Sequence, residues 1–303
     1  MNSLLELFGE DISSLQLPEK VLIMDLHNLA YRCVFSAIHV SPEDGENFYL
    51  WKHMMINSIF NTIKKFKPNK VILAADKKGN WRYNIYAQYK SNRKEFRENS
   101  KINFDKFLPI FNDFIEDIKN TFTKLYVLNI EKCEADDIIA ILSKETFKNK
   151  EVIIVSSDKD MNQLLSNRKI KQFDAMNNKF IECLNPKKDL DIKILVGDKG
   201  DTIPSVKKKV GVKTAEKILN EGLDTFLNKP ENKEIKTNWE RNKILIDFNF
   251  IPEDIKKSII NTYNEYQLND IQSSKLMTFF IKNKMNKLMS EWQLMSPIFK
   301  ELN

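Results

Sequence analysis

Four short apolar runs punctuate the first half of this 303-residue chain: VLIM at 21–24, VILAA at 71–75, LYVLNI at 125–130 and VIIV at 152–155. Each is too short for a packed helix, and none alternates with polar residues. Unbroken apolar runs of this kind form strands covered on both faces, the usual condition of a parallel sheet. The segments between them carry a helical period instead. Trp51, Met54, Met55, Ile59, Ile63 and Phe66 share one face, as do Phe104, Phe107, Leu108, Phe111, Phe114, Ile115, Ile118 and Phe122. Pro109 is expected to kink that second helix or to lie in its first turn. A third helix starts near Glu134 and turns Ile138, Ile139 and Leu142 inward. Asn177-Asn178, between two short extended runs, reads as a hairpin turn. After about residue 185 only helical patterns follow. The fold class is therefore α/β, a mostly parallel central sheet flanked by helices, followed by a helical region. The division falls into residues 1–197 and 198–303.

The acids are placed where such a sheet binds its ligands, at the carboxyl ends of the strands. Asp25 ends the first run and Asp76 the second; Glu134, Asp136 and Asp137 follow the third, and Asp158 and Asp160 the fourth. One such Asp is ordinarily the cap of the next helix. Four clusters at one edge would repel one another, at about 4 kcal/mol per pair at ~4 Å and an effective dielectric near 20. A cation must offset this, and an oxygen-only donor set without His or Cys points to Mg2+, or Mn2+ in its place. Asp198 and Asp201 form a further pair that could serve a second ion. Two divalent ions ~3.5–4 Å apart are the usual clamp for in-line phosphodiester displacement.

The cations are concentrated as well. Residues 64–101 hold twelve Lys or Arg against three acids, a local +9 in a chain whose formal total is only +6. Trp81, Tyr83, Tyr86 and Tyr89 interleave with Arg82, Lys90 and Arg93, the mixture of stacking faces and charge that suits single-stranded nucleic acid. The four-and-three spacing of Tyr86, Lys90 and Arg93 places them on one helix face. A second basic group, Lys207, Lys208, Lys209, Lys213 and Lys217, surrounds Gly211, which turns the chain into a helix starting near Thr214. No apolar run approaches the roughly eighteen residues of a membrane span, so no membrane partner is expected. The first twenty residues lack a basic stretch followed by an apolar one, and Cys33, Cys133 and Cys183 match no disulfide or zinc pattern. A reducing cytoplasm suits such a chain.

Taken in order, these residues resemble the flap endonuclease and 5′-to-3′ exonuclease family. The matching set is Asp25, Asp76 with Trp81-Arg82, Tyr89-Lys90 with Arg93, Glu134-Ala135-Asp136-Asp137, Ser157-Asp158 with Asp160, Gly197-Asp198 with Asp201, Ile203-Pro204, and Gly211 with Lys213-Thr214-Ala215. The later run ILIDFNFIP at 244–252 resembles the phage ribonuclease H branch. The resemblance implies a PIN-like nuclease domain with a helical arch over about 77–103, and a helix–loop–helix near 198–222 that grips duplex. It implies a first metal cluster and its shell from Asp25, Asp76, Glu134, Asp136 and Asp137, and a second from Asp158, Asp160, Asp198 and Asp201. Lys90 and Arg93 would orient and polarise the scissile phosphate; Arg82, Tyr86, Lys207, Lys208, Lys209, Gly211, Lys213 and Thr214 would contact nucleic acid. A monovalent cation often sits in the helix–loop–helix of this family, but Lys209 here takes a usual glycine position.

The expected activity is removal of RNA primers and adjacent DNA from 5′ ends or flaps, on RNA–DNA and DNA–DNA duplexes, by a monomer. A single-stranded-DNA-binding protein or a sliding clamp is a possible partner class; the tail QLMSPIF superficially resembles a clamp-binding peptide, but a helix end that packs its own core is the preferred reading. Two other readings are a PIN-type endoribonuclease acting on single-stranded RNA and a non-catalytic structure-specific DNA-binding protein.

Overall fold

The computed structural model describes residues 18–40 and 44–303. The start of the chain, where no secretory pattern is found, lies mostly outside the described residues. Six strands form one sheet: β1 Lys20–Asp25, β2 Lys70–Ala75, β3 Tyr126–Asn129, β4 Glu151–Val155, β5 Ile170–Asp174 and β6 Lys179–Ile181. Their order is β3-β2-β1-β4-β5-β6. All neighbours run parallel except β5 and β6, which form the hairpin around Asn177-Asn178.

The unbroken apolar strands have the burial that their composition demands. Leu22, Met24, Val71 and Leu73 point to one face of the sheet and Val21, Ile23, Ile72 and Ala74 to the other; all are fully buried. The first face is covered by α1 Leu26–Val40, α2 Asp44–Phe66 and α4 Phe104–Thr121, whose Phe107, Phe111 and Phe114 pack around Trp51. The second face is covered by α5 Ala135–Ile141 and, from far along the chain, α10 Glu253–Asn264. Pro109 lies beyond the first turn of α4, and the helix runs on through it. Between β2 and α4, the segment at 77–103 holds a 3-10 turn, Trp81–Asn84, and a six-residue helix, α3 Arg93–Glu98, with no buried residue.

The C-terminal part is helical. It comprises α6 Pro186–Val196, α7 Val212–Glu221, α8 Leu223–Leu227, α9 Lys233–Ile246, α10, α11 Ser273–Lys282 and α12 Asn286–Lys300. The helix pair around the lysine-rich loop is α6 and α7, joined by residues 197–211. Lys209 takes a left-handed φ of 68°, so it holds the conformation that a glycine would adopt without strain. The tail QLMSPIF belongs to α12, with Met295 and Phe299 buried in the first core, so the segment packs its own domain, as the preferred reading of its sequence expects.

Gly197, which ends α6, is the position where backbone freedom matters most. Its φ is +75°, and a Cβ there would lie 2.3 Å from the Ile203 carbonyl oxygen and 2.5 Å from Pro204 backbone. The close approach folds the Asp198–Ile203 bridge, which carries two of the candidate acids. Gly197→Ala should therefore lower unfolding stability, on the order of 1–3 kcal/mol for the backbone strain alone. Gly211 has open space around it and an ordinary φ of −108°. Gly211→Ser, which keeps a good helix cap, should stay within about 0.5 kcal/mol of wild type. Urea unfolding midpoints of the two variants distinguish them.

Candidate metal centre and basic cleft

Parallel pairing aligns the carboxyl ends of β1, β2 and β4: Asp25 stands opposite Ala74, and Met24 opposite Val155. Side chains just beyond those ends must meet, and they do. Asp25 Oδ1 accepts from the Asn28 amide at 3.0 Å, and its Oδ2 accepts from Ser156 Oγ at 3.2 Å. Asp76 Oδ1 accepts from the Ala135 amide at 2.8 Å, while its own amide donates to His27 Nδ1 at 3.1 Å. Asp158 caps the 3-10 turn that follows β4 through the Asp160 amide, at 2.9 Å.

The electrostatics divide these acids into two groups. Burial, together with the neighbouring Asp76 and Asp158 charges, pushes the Asp25 carboxyl up to about 7. Asp136 is raised well above the carboxylate range by burial and by Asp158, Asp25 and Asp160. Asp25, Asp136 and Asp158 make no ion pair among the described residues. Glu134 behaves oppositely. Burial opposes its ionisation, but Lys90 and Arg82 outweigh it and hold the carboxyl at about 2. Its Oε2 accepts from Tyr89 Oη at 2.9 Å and Arg82 Nη1 at 3.2 Å, and its Oε1 accepts from Lys90 Nζ. Tyr89 Oη also lies 3.1 Å from Asp201 Oδ2, and Arg93 Nη2 3.3 Å from Asp201 Oδ1. Lys193 spans the last pair, Asp160 and Asp198, with Nζ 2.7 Å from Asp198 Oδ2.

Among the described residues no group of three or more Asp, Glu, His or Cys side chains closes into a ready-made ligand set. Lys90 and Lys193 stand between the carboxylates instead. The donor chemistry still fits hard divalent cations: every candidate is a carboxylate, and Asp25, Asp136 and Asp158 lie close together with no ion pair of their own among the described residues, Lys90 acting on Asp136 only from a distance.

Four sequence expectations are corrected. Asp137 is fully buried and cannot reach an ion; its oxygens accept from Arg82 Nη2 at 2.8 Å, Arg82 Nη1 at 3.1 Å, Trp81 Nε1 at 3.2 Å and the Glu134 amide at 3.1 Å. Arg82 is likewise buried, 3% exposed, and is a structural counter-ion with no face for nucleic acid. Tyr86, Lys90 and Arg93 do not share a helix. Lys90 has a left-handed φ of 56° in a turn, and α3 begins only at Arg93. The half-buried Tyr86 ring is covered by the Arg241 guanidinium at 5.1 Å, which occupies the face a base would stack on.

Beside the acids, a cleft of about 960 Å³ runs beneath the 77–103 segment. Lys77, Lys78, Lys90, Arg93, Lys94, Arg97 and Lys101 line it, against Asp76, Glu98, Asp105 and Glu134. Lys207, Lys208, Lys209, Gly211, Lys213 and Thr214 are all exposed, on or beside the N-terminus of α7. One site residue, Lys193, escapes a reading of the sequence, being one lysine in a chain with 48 Lys and Arg and carrying no local signal; Tyr89 stands in the Tyr89-Lys90 motif, but nothing there shows that its hydroxyl joins Glu134 and Asp201.

Removing Arg82 would leave the buried Asp137 without its counter-ion. Arg82→Met should cost about 3–5 kcal/mol of stability, measurable by urea unfolding. The raised carboxyls also set a pH dependence. Between its ordinary 3.8 and about 7, Asp25 binds more proton folded than unfolded, so stability falls as pH rises through that window. His27 and His53, held below 6.5 by burial, act in the opposite sense but only beneath that value. The metal-free protein should therefore lose melting temperature from about pH 6.5 to about pH 8, and millimolar Mg2+ should abolish the decline. A metal-free profile that rises over this range would contradict the assignment.

Comparison with known proteins places this geometry. Residues 20–189 match the family profile described as 5′-3′ exonuclease, N-terminal resolvase-like domain, and residues 185–293 match that described as T4 RNase H, C terminal. Ribonuclease H of Enterobacteria phage T4 is 28% identical over 291 residues, covering 89% of this chain and 94% of that protein. Flap endonuclease Xni of Shewanella denitrificans is 29% identical over 211 residues, 66% of this chain and 77% of that one. A thermostable DNA polymerase I from Thermus caldophilus is 29% identical over 253 residues, 78% of this chain, but the match spans only 29% of its length. Among solved structures, the T5 5′-exonuclease with bound zinc superposes with a TM-score of 0.65 at 21% identity, over 82% of this chain and all of that one. A T5 D15 flap endonuclease complex with DNA and metal ions gives the same figures, a likeness of fold.

Proposed function

Since the chain belongs to the 5′-3′ exonuclease family, we propose that it is a divalent-metal-dependent nuclease that hydrolyses phosphodiesters from 5′ ends and at 5′ flaps. The observation that carries this reading is the gathering of Asp25, Asp136 and Asp158 from three elements at one sheet edge, with no ion pair of their own among the described residues, next to Asp76 and Glu134, which line a basic cleft. Nothing in a purely structural role requires three carboxylates to face one another without a cation.

Two Mg2+ ions, or Mn2+ in their place, would supply the activation of water and the stabilisation of the leaving oxygen. Asp25, Asp76, Glu134 and Asp136 would hold the first, and Asp158, Asp160, Asp198 and Asp201 the second. Asp137 contributes through Arg82 by fixing Glu134. Lys90 and Arg93 stand where the cleft meets the acids, and their ammonium and guanidinium groups would hold the scissile phosphate and the charge that develops on it. Tyr89 Oη, shared by Glu134 and Asp201, fixes the orientation of both carboxylates. The cleft cations would track the single-stranded 5′ segment, and the lysine loop with the α7 N-terminus would hold duplex phosphates. The substrates would be RNA–DNA and DNA–DNA duplexes, and the reaction primer removal in a cytoplasm.

Asp136→Asn should abolish cleavage, by a factor of about 10² or more, while binding of a flapped duplex in Ca2+ changes only a few-fold. End-labelled nicked, gapped and flapped duplexes with RNA or DNA 5′ segments give the products. Retained cleavage would overturn the assignment, and cleavage of single-stranded RNA without any duplex would favour an endoribonuclease.

A further inference from the structure

Lys193 has a position that the activity does not explain. It sits in the last turn of α6, five residues before Asp198, and its ammonium bridges Asp160 Oδ1 and Asp198 Oδ2, the latter at 2.7 Å. These oxygens come from two different elements, the 3-10 turn after β4 and the loop after α6. Lys193 is their sole ion-pair partner among the described residues.

The local fold does not need this amine. Asp198 Oδ1 already accepts from the Gly200 amide at 2.7 Å and the Asp201 amide at 3.3 Å, which close its loop. The Asp160 amide is capped by Asp158. Both carboxylates and the lysine side chain keep between 21% and 27% exposure, so water and ions reach them. The arrangement also leaves charge over, since one ammonium faces two carboxylates whereas one divalent ion would neutralise both. The two oxygens aimed at Nζ are the ones through which Asp160 and Asp198 would share an ion. The amine and the ion therefore compete for the same place. A lysine on a flexible four-carbon stem is suited to leave it, being a mobile point charge rather than a planar fork.

We propose that Lys193 is a built-in counter-ion that keeps the Asp160–Asp198 pair closed to a divalent ion until a nucleic-acid phosphate draws its ammonium away. The inference rests on the reading that these two acids hold the second ion. It makes Lys193 a positioning residue with two states. In the free enzyme it satisfies the acids; with duplex bound it pairs with phosphate, and the pair is released to the ion. Full ion occupancy is thereby coupled to the presence of substrate.

The test is a calorimetric titration of the metal-free, full-length protein with Mn2+ alone, then repeated with a 5′-phosphorylated nicked duplex made cleavage-resistant by phosphorothioate linkages. Without duplex, Lys193→Met should bind the weaker Mn2+ on the order of tenfold more tightly than wild type. Lys193→Arg, which retains the charge in a fork that fits two carboxylates, should bind it no better than wild type. With duplex present, wild-type affinity for that ion should rise, and the rise should be lost in Lys193→Met. Unchanged or weaker Mn2+ affinity in Lys193→Met, or an equal rise on duplex binding in both proteins, would overturn the proposal. A melting curve confirms that each variant is folded, and tighter binding in Lys193→Met alone, without a gain in Lys193→Arg, excludes a general loss of structure. Asp160→Asn separates the two levels. If it removes the weaker Mn2+ while Lys193→Met leaves the affinity unchanged, the ion assignment stands and the counter-ion role fails. If Asp160→Asn leaves both ions in place, the assignment itself fails.

Discussion

The candidate site hangs from one buried guanidinium. Arg82 donates to both oxygens of Asp137, to Glu134 Oε2 and, through Nε, to the Leu245 carbonyl at 2.9 Å. These partners lie at the N-terminus of α5 and the end of α9, so a single side chain from the turn after β2 joins three distant segments. Removing a guanidinium from water is expensive, and it is tolerated only because nearly every donor finds an acceptor. The consequence is positional. Glu134 is held by Arg82 and Tyr89 on one oxygen, which leaves the other facing Lys90 and the cleft. The first turn of α5 is fixed by the same contacts, and with it Asp136. The helical C-terminal part is therefore joined to the acid edge of the sheet through α9.

The legible part of the fold was the part set by local composition. The four apolar runs became β1 to β4 because residues that are apolar on both sides can only lie in a covered sheet, and the acids after them had to share its edge. The Asn177-Asn178 turn and the helix at Glu134 were equally readable, since caps and turns are chosen by a few adjacent residues. Arg82 and Asp137 were misassigned for a physical reason. A sequence counts their charges, but whether the charges face water or each other is decided by contacts 55 residues apart in the chain. Tyr86 failed similarly, because Arg241, the residue covering it, comes from α9. Lys193 was illegible, since its meaning depends on a turn 33 residues earlier in the chain.

The net charge of the chain conceals this arrangement. A formal +6 describes a protein with little electrostatic character, yet the charges are sorted into an acid edge, a basic cleft and a basic loop. Within the acid edge they are sorted again. Glu134 and Asp201 share Lys90, Asp160 and Asp198 share Lys193, and Asp25, Asp136 and Asp158 share nothing. Repulsion is thus retained among the three acids that have no ion pair of their own among the described residues, where a small, hard cation would relieve it.

That gradation bears on how a metal site can exist before its metal arrives. Carboxylates arranged for ion binding are by that arrangement arranged to repel, at several kcal/mol for each close pair. The sheet absorbs part of this because β1, β2 and β4 are fully buried on both faces and cannot splay to relieve it. Protonation absorbs another part, as the raised Asp25 and Asp136 carboxyls show. The two lysines absorb the rest, and they differ from protons in one respect. A proton lost to solvent leaves no group behind, whereas a displaced ammonium stays tethered within reach of the next anion. Offsetting these carboxylates with lysines rather than with protons alone would therefore leave cations beside the ions once they bind, where a phosphate would need them.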